Sequence, residues 1–279
     1  AGYQRSSHGV SAVVIAEKDG QMERDYDYSS AVFEADLDGA EKVGQSAAKR
    51  TLERLGASKA KTGKFPVIYD RRVAASLVGS VAGAINGASV ARGTSFLKDR
   101  LGEKIVADGL NFIDDPLRSR GMGSRPFDAE GCPVQTRKMI EDGVLNGWFL
   151  DLASAAKLGL TTMGNAKRSL GSAPNPGSSN FYLENGEIDL DDLIADIEDG
   201  FFVTELIGSS VDMITGDYSR GAGGFWISNG KIAQPISEAT IAGNLKDMLL
   251  AVTRANDIDM RDSIASPSLR VDGMTVAGS

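Results

Sequence analysis

The feature that most constrains this chain is a recurring pairing of Asp or Asn with glycine. Asp19-Gly20, Asp142-Gly143, Asn185-Gly186, Asn229-Gly230 and Asp272-Gly273 each lie between apolar or alternating runs. Such pairs favour the type I′ turn, whose two positive φ angles match the twist of paired strands. The runs Val10 to Ala16, Phe65 to Tyr69, Val144 to Leu150, Phe181 to Glu184, Phe201 to Ile207, Phe225 to Ser228 and Lys231 to Ile236 therefore read as strands. Together they predict a large, mainly antiparallel sheet or barrel-like domain. Glycine supplies 33 of the 279 residues, which suits many tight turns and bulges.

Four helical patterns interrupt the strands. The first begins at Asp38, with Glu41 as a capping-box partner, and stops at Gly56; its apolar face is Val43, Ala47, Leu52 and Leu55. The second is the uncharged stretch Val73 to Ala91, flanked by Arg71, Arg72 and Arg92. Its bulky residues, Val73, Leu77, Val81 and Ile85, recur every fourth position, as do Gly79, Gly83 and Gly87. A narrow stripe among small residues reads as a helix buried in protein, not one crossing a bilayer. The third pattern runs from Asp189 to Gly200 and buries Leu193, Ile194 and Ile197. The fourth starts at Asn244, with Leu245, Met248, Leu249 and Val252 on one face. Strands and helices do not alternate as βαβ units, so the class is α+β. The longest loop candidate is Gly171 to Asn180.

Composition excludes several chemistries. Lys and Arg number 30 against 38 Asp and Glu, a formal charge of −8, which argues against nucleic-acid binding. The only cysteine is Cys132 and the only histidine is His8, so an intrachain disulfide, a cysteine zinc cluster and any two-histidine site within the chain are excluded. No apolar run of signal length follows Ala1, and a cysteine-poor acidic chain of this kind is expected in the cytoplasm. A first residue other than Met suggests a fragment or a processed chain. The motifs of serine hydrolases and phosphate-binding loops are missing. Gly221-Ala222-Gly223-Gly224 reads as a turn feeding the strand at Phe225. Asp189, Asp191, Asp192, Asp196 and Asp199 read as a solvated helix surface, and Asp114-Asp115 as a turn before Pro116. Arg118, Arg120 and Arg125 are placed on a loop where they pair with the chain's own carboxylates or grip a peptide C-terminus. Cys132 reads as an incidental thiol.

Longer stretches carry a resemblance. They are Met22-Glu23-Arg24-Asp25-Tyr26, Arg92-Gly93-Thr94-Ser95-Phe96, Arg125-Pro126-Phe127-Asp128, Gly164-Asn165-Ala166, Thr215-Gly216-Asp217-Tyr218-Ser219, Gly224-Phe225-Trp226, Asn229-Gly230-Lys231-Ile232, and Thr240 through Met248. In order and spacing these resemble the TldD/PmbA family, most closely its PmbA (TldE) branch. The resemblance implies that residues 1–60 are the end of an N-terminal α/β region and 61–279 a C-terminal β-rich domain. It also implies cytoplasmic proteolysis of unstructured peptides. In the TldD branch a His-Glu-x-x-x-His helix and a C-terminal cysteine hold zinc, and that branch pairs with the PmbA branch. Counting back from Gly93-Thr94-Ser95, Val78 stands at the first histidine, Gly79 at the glutamate and Gly83 at the second histidine. Met260 to Leu269 contains no cysteine.

The expectation is therefore a PmbA-like subunit with no catalytic residue, no metal and no cofactor of its own, zinc belonging to a TldD-type partner. Its candidate partner- or peptide-facing residues are Gly216, Asp217, Ser219, Gly221 and Gly224, with Gly243 and Asn244 at a helix start. An exposed strand edge would hold the peptide by β-augmentation. The alternatives are an autonomous hydrolase with an unadvertised site and a homodimeric scaffold without a protease partner.

Overall fold

The computed structural model describes residues 2–278. β1 (His8–Lys18) and β2 (Gln21–Ala31) form an antiparallel hairpin around Asp19-Gly20, whose φ angles of 53° and 79° are those a type I′ turn requires. α1 (Ala40–Glu53) packs on this hairpin and buries Val43, Ala47 and Thr51. Its N-cap is Gly39, without a side-chain cap; Asp38, expected to cap, pairs with Lys42 at 2.6 Å instead. Leu52, expected on the apolar face, is exposed, because it lies one residue round the helix from the buried Val43–Ala47–Thr51 line.

β3 (Gly63–Tyr69) leads into α2 (Arg71–Ala84) and α3 (Gly87–Arg92). Then come β4 (Phe112–Asp114), β5 (Arg137–Glu141), β6 (Val144–Leu145), α4 (Leu152–Leu158), β7 (Ala166–Lys167), β8 (Asn175–Pro176), β9 (Phe181–Leu183) and α5 (Leu190–Ile194). The chain closes with β10 (Asp199–Val211), β11 (Asp217–Ser228), β12 (Lys231–Asn244), α6 (Leu245–Leu250), β13 (Val252–Arg254), β14 (Ile264–Ala265) and β15 (Leu269–Gly278). The fold is α+β, as expected.

Strands in the order β12-β11-β10-β3-β15 close a barrel, because β15 returns to pair with β12. Its pairs are antiparallel except β3 with β10, which run parallel. Period-two alternation decides which side chains enter the main core. Val67, Tyr69, Phe201, Val203 and Trp226 belong to it, while Ile68, Phe202 and Ile227 point outward into a second cluster sealed by Leu193, Ile194 and Ile197. Inside, Trp226 meets Phe65 edge-on at 5.0 Å between ring centroids and donates its indole N–H to Asp199 at 2.7 Å. A second sheet has the order β14-β9-β4-β5-β6. α2 packs between β3 and β10 of the barrel and β9 and β14 of that sheet.

Several expected boundaries move. The Val73–Ala91 stretch is two helices: α2 stops at Ile85, and the Asn86 side chain accepts from the amides of Ala88 and Ser89 to start α3. Among the described residues, no helix is long and apolar enough to cross a membrane. Val144–Leu150 is a strand only over its first two residues. α5 ends at Ile194, since Asp199 and Gly200 already belong to β10. Asn185-Gly186 is no hairpin turn: the Gly186 amide donates to Ala255 at 2.7 Å, and the Asn185 side chain accepts from Ile258. Asp272-Gly273 is a bulge inside β15, where the register against β3 shifts between Val271 and Met274.

Candidate functional site

α2 presents the positions that the family resemblance aligns with a zinc helix. Asp70 caps its start by accepting from the Arg72 amide at 2.9 Å. Val78 is buried in the main core with Ala74, Leu77 and Val81. Gly79 and Gly83 lie on a more open side, a turn apart. A methyl group built on Gly79 would approach Ile264, and one on Gly83 would lie 3.3 Å from the Met213 methyl. Valine and glycine offer no side-chain nitrogen, oxygen or sulfur, and the neighbours brought to them are apolar. These positions therefore do not fit a metal ion, which needs several such donors. Among the described residues, no group of three or more His, Cys, Asp or Glu side chains is arranged to hold one.

Met213 ties α2 to a second element. It sits in the turn between β10 and β11, and its carbonyl accepts from the Phe96 amide at 2.8 Å. Asp212 shapes this turn by accepting from the amides of Ile214 and Thr215. Gly216 has φ +89°, and a side chain there would meet the Asn244 carboxamide. Asp217 accepts from the Thr215 hydroxyl at 2.8 Å and from the Asn244 amide at 3.0 Å. These hydrogen bonds hold its pKa below the ordinary aspartate value. Asn244 in turn accepts from the Lys246 amide and caps α6. Gly216, Asp217, Gly243 and Asn244 are thus brought into one knot where β11, β12 and α6 meet.

The other expected residues leave that knot. Ser219, Gly221 and Gly224 continue along β11, so the glycine-rich run is strand, not turn. β11 is paired with β10 on one side and β12 on the other. Gly224 allows a close approach: a methyl there would overlap the Phe202 carbonyl oxygen, opposite a bulge at Thr204.

Two buried polar clusters escaped the sequence reading. Arg54, at the end of α1, pairs with Glu205 of β10 at 2.5 Å and with Glu23 of β2 at 3.2 Å. Burial raises the Glu23 pKa, Arg54 opposes this, and Glu205 and Glu238 add to it. Asp114, expected in a turn, ends β4 and is buried. It accepts from the Ser179 amide and hydroxyl at 2.6 and 2.8 Å, and from Asn165 at 3.2 Å. Burial raises its pKa against those bonds. Ser179 comes from the expected loop Gly171–Asn180, and nothing local in the sequence marks that partnership. Of the loop arginines, Arg120 pairs with Asp36 as expected, whereas Arg118 donates to the Met260 carbonyl. Cys132 is half-buried and free. In the acidic run near α5, Asp196 pairs with Arg270 and Asp199 with Lys61.

The sequence matches family models over nearly its whole length: residues 62–278 the PmbA/TldA metallopeptidase C-terminal domain, and residues 1–55 the central domain. The chain belongs to the PmbA/TldD metallopeptidase family. It is 44% identical over 278 residues to the metalloprotease PmbA of Escherichia coli O157:H7, covering 99% of this chain and 60% of that one. It is 27% identical to a TldD homologue of Haemophilus influenzae, covering 96% and 61%. A crystal structure from Bacteroides thetaiotaomicron, described as a candidate modulator of DNA gyrase, superposes with TM-score 0.88 at 33% identity over 98% of this chain and 60% of that one. TldE from Thermococcus kodakarensis shares the fold, with TM-score 0.87 at 23% identity over 98% and 63%. The chain spans about 60% of the length of these PmbA-type curated relatives.

Proposed function

We propose that this chain is the non-catalytic, PmbA/TldE-like part of a TldD-type metalloprotease, completing its chamber and holding extended peptide. The observation that carries the reading is the chemistry of α2: buried Val78 and two glycines stand where the family's metal helix needs donors. A zinc-bound water also needs a base, and none of these three residues supplies one. Relatives from both the TldD and TldE branches favour a two-subunit assembly. On this reading the Asp212–Asp217 turn and the Asn244 knot, beside the open side of α2, face the partner or its peptide.

The test joins three measurements. The purified chain contains no stoichiometric zinc by elemental analysis, does not cleave an unfolded casein-type substrate alone, and co-purifies with a TldD-type protein whose cleavage it supports. Chelator-sensitive cleavage by the chain alone would establish an autonomous hydrolase instead. A stable homodimer that ignores the TldD-type protein would establish the scaffold.

A further inference from the structure

Some of the cations of this acidic protein are neutralised by ion pairs and others are not. Arg54, Arg72, Arg120, Arg261 and Arg270 each lie against carboxylates. Four others converge unpaired on one cavity of about 1060 Å³: Arg5 of the N-terminal segment, Arg125, and Lys167 and Arg168 of the β7–β8 ribbon and its turn. Among the described residues none of the four has a carboxylate at ion-pair distance. The single carboxylate lining the cavity is Asp128, and it is spent. One of its oxygens accepts from the amides of Glu130 and Cys132, the other from Ala166.

The hydrogen bonds that these cations do make position them without neutralising them. Arg125 donates to the carbonyls of Ala166 at 3.3 Å and Gly164 at 3.4 Å, while its Nε–H is buried with no partner. Arg168 donates to the Ser172 carbonyl at 2.9 Å. The Lys167 ammonium makes no hydrogen bond among the described residues. The Lys167 side chain is exposed at the mouth of the recess, yet reduced solvation and the charges of Arg125 and Arg5 push its pKa down, with Asp114 opposing them. Loss of solvation also lowers Arg125, while the more distant charges of Asp114 and Asp128 act the other way. Half-buried Arg125 and the exposed Arg5, Lys167 and Arg168 thus place like charges around one open groove, an arrangement that an entering anion stabilises. Tyr3 stands edge-on to Phe127 at 5.3 Å and gives the recess an apolar wall. Ser263 lines the cavity next to Ile264, which faces Gly79 of α2.

We propose that this recess is a carboxylate-binding site that anchors a peptide through its C-terminal carboxylate or an acidic side chain. The choice of a peptide rests on the function proposed above; the choice of a carboxylate rests on the unpaired guanidinium and ammonium groups. Arginine's fork matches the two carboxylate oxygens, and Lys167 adds a movable point charge. A polyphosphate chain is disfavoured by the protein's net charge of −8.

The test uses fluorescein-labelled octapeptides of one sequence in three forms: free acid, C-terminal amide, and amide with one internal Glu. Fluorescence anisotropy reads their affinities for the wild-type chain, for the double variant Arg5→Glu/Lys167→Glu and for the milder Lys167→Gln. Neither side chain makes a hydrogen bond, so thermal midpoints are expected to stay near wild type; if the double variant fails to fold, Lys167→Gln carries the test alone. The free acid is expected to bind at least tenfold tighter than the plain amide. The double variant removes that preference and Lys167→Gln reduces it severalfold. Recovery of tight binding by the Glu-containing amide assigns the site to side-chain carboxylates; its absence assigns it to the terminus. Equal binding of acid and amide, or an acid preference untouched by the variants, would overturn this site and leave the peptide-binding reading standing. No binding of any peptide would overturn both.

Discussion

Gly224→Ala separates a glycine that builds the barrel from one that serves a ligand. Gly224 lies in β11 across from Val203, where β10 bulges at Thr204. A methyl on its Cα would overlap the Phe202 carbonyl oxygen and sit 3.0 Å from the Thr204 nitrogen. Both atoms are backbone in the barrel wall, so relief requires moving a strand. That places the cost at the upper end of overpacking, about 3 kcal/mol. Replacing a strand glycine by alanine returns roughly 0.5–1 kcal/mol of backbone entropy, too little to offset it. Gly221, three residues earlier, is the internal control. Its methyl would lie 3.1 Å from the Ile207 Cβ, a contact relieved by a shift of a few tenths of an ångström and not an overlap, so strain and entropy nearly cancel. Thermal unfolding followed by circular dichroism should show Gly224→Ala lowered by roughly 4–10 °C, from a net cost of about 2–2.5 kcal/mol at 2–4 °C per kcal/mol for a chain of this size. Gly221→Ala should stay close to wild type. Equal midpoints for the two variants would refute the argument from backbone approach.

Arg54→Met is expected to cost about 3–5 kcal/mol in a urea melt, because it strands Glu23 and Glu205 around a largely buried position; Arg54→Met/Glu205→Gln should regain part of that loss. Glu23 has a raised folded pKa, so its stabilising contribution is full below the ordinary value of 4.5 and is lost as pH rises through the folded value; Glu23→Gln should flatten that part of the stability profile. Asp217 behaves oppositely, since its folded pKa lies below 3.8: its contribution is present above that value and lost as pH falls through the folded one, and Asp217→Asn should remove this acid-side slope.

The legible parts of the fold were those written in short-range chemistry. Asp19-Gly20, Asp142-Gly143 and Asn229-Gly230 are hairpin turns, because two positive-φ residues between alternating strands have few other solutions. Asn185-Gly186 carries the same letters but is held by Ala255 and Ile258, partners about seventy residues on. The small-residue segment was recognisable as buried helix, yet its break at Asn86 depends on a cap that competes with helix continuation. The polar clusters were hidden for the same reason as Asn185. Arg54 meets Glu205 across 151 positions and Asp114 meets Ser179 across 65, and neither spacing leaves a local pattern.

Barrel closure also changes how a peptide would be held. A strand cannot add to β11 without displacing β10 or β12, each joined to it along nearly its whole length. On the hairpin, the β2 carbonyls of Tyr26 and Tyr28 already accept from Arg50, Arg72 and Arg261. Main-chain pairing, the expected source of sequence-tolerant binding, is thus closed at β11 and left to other edges such as the outer side of β1, which pairs only with β2. A terminal carboxylate solves the same problem by other means, because every unmodified linear peptide carries one whatever its sequence. A recess built from Arg5, Arg125 and Lys167 can therefore hold one end of an unstructured peptide while leaving its side chains unread, and the acid-against-amide comparison tests that division of labour directly.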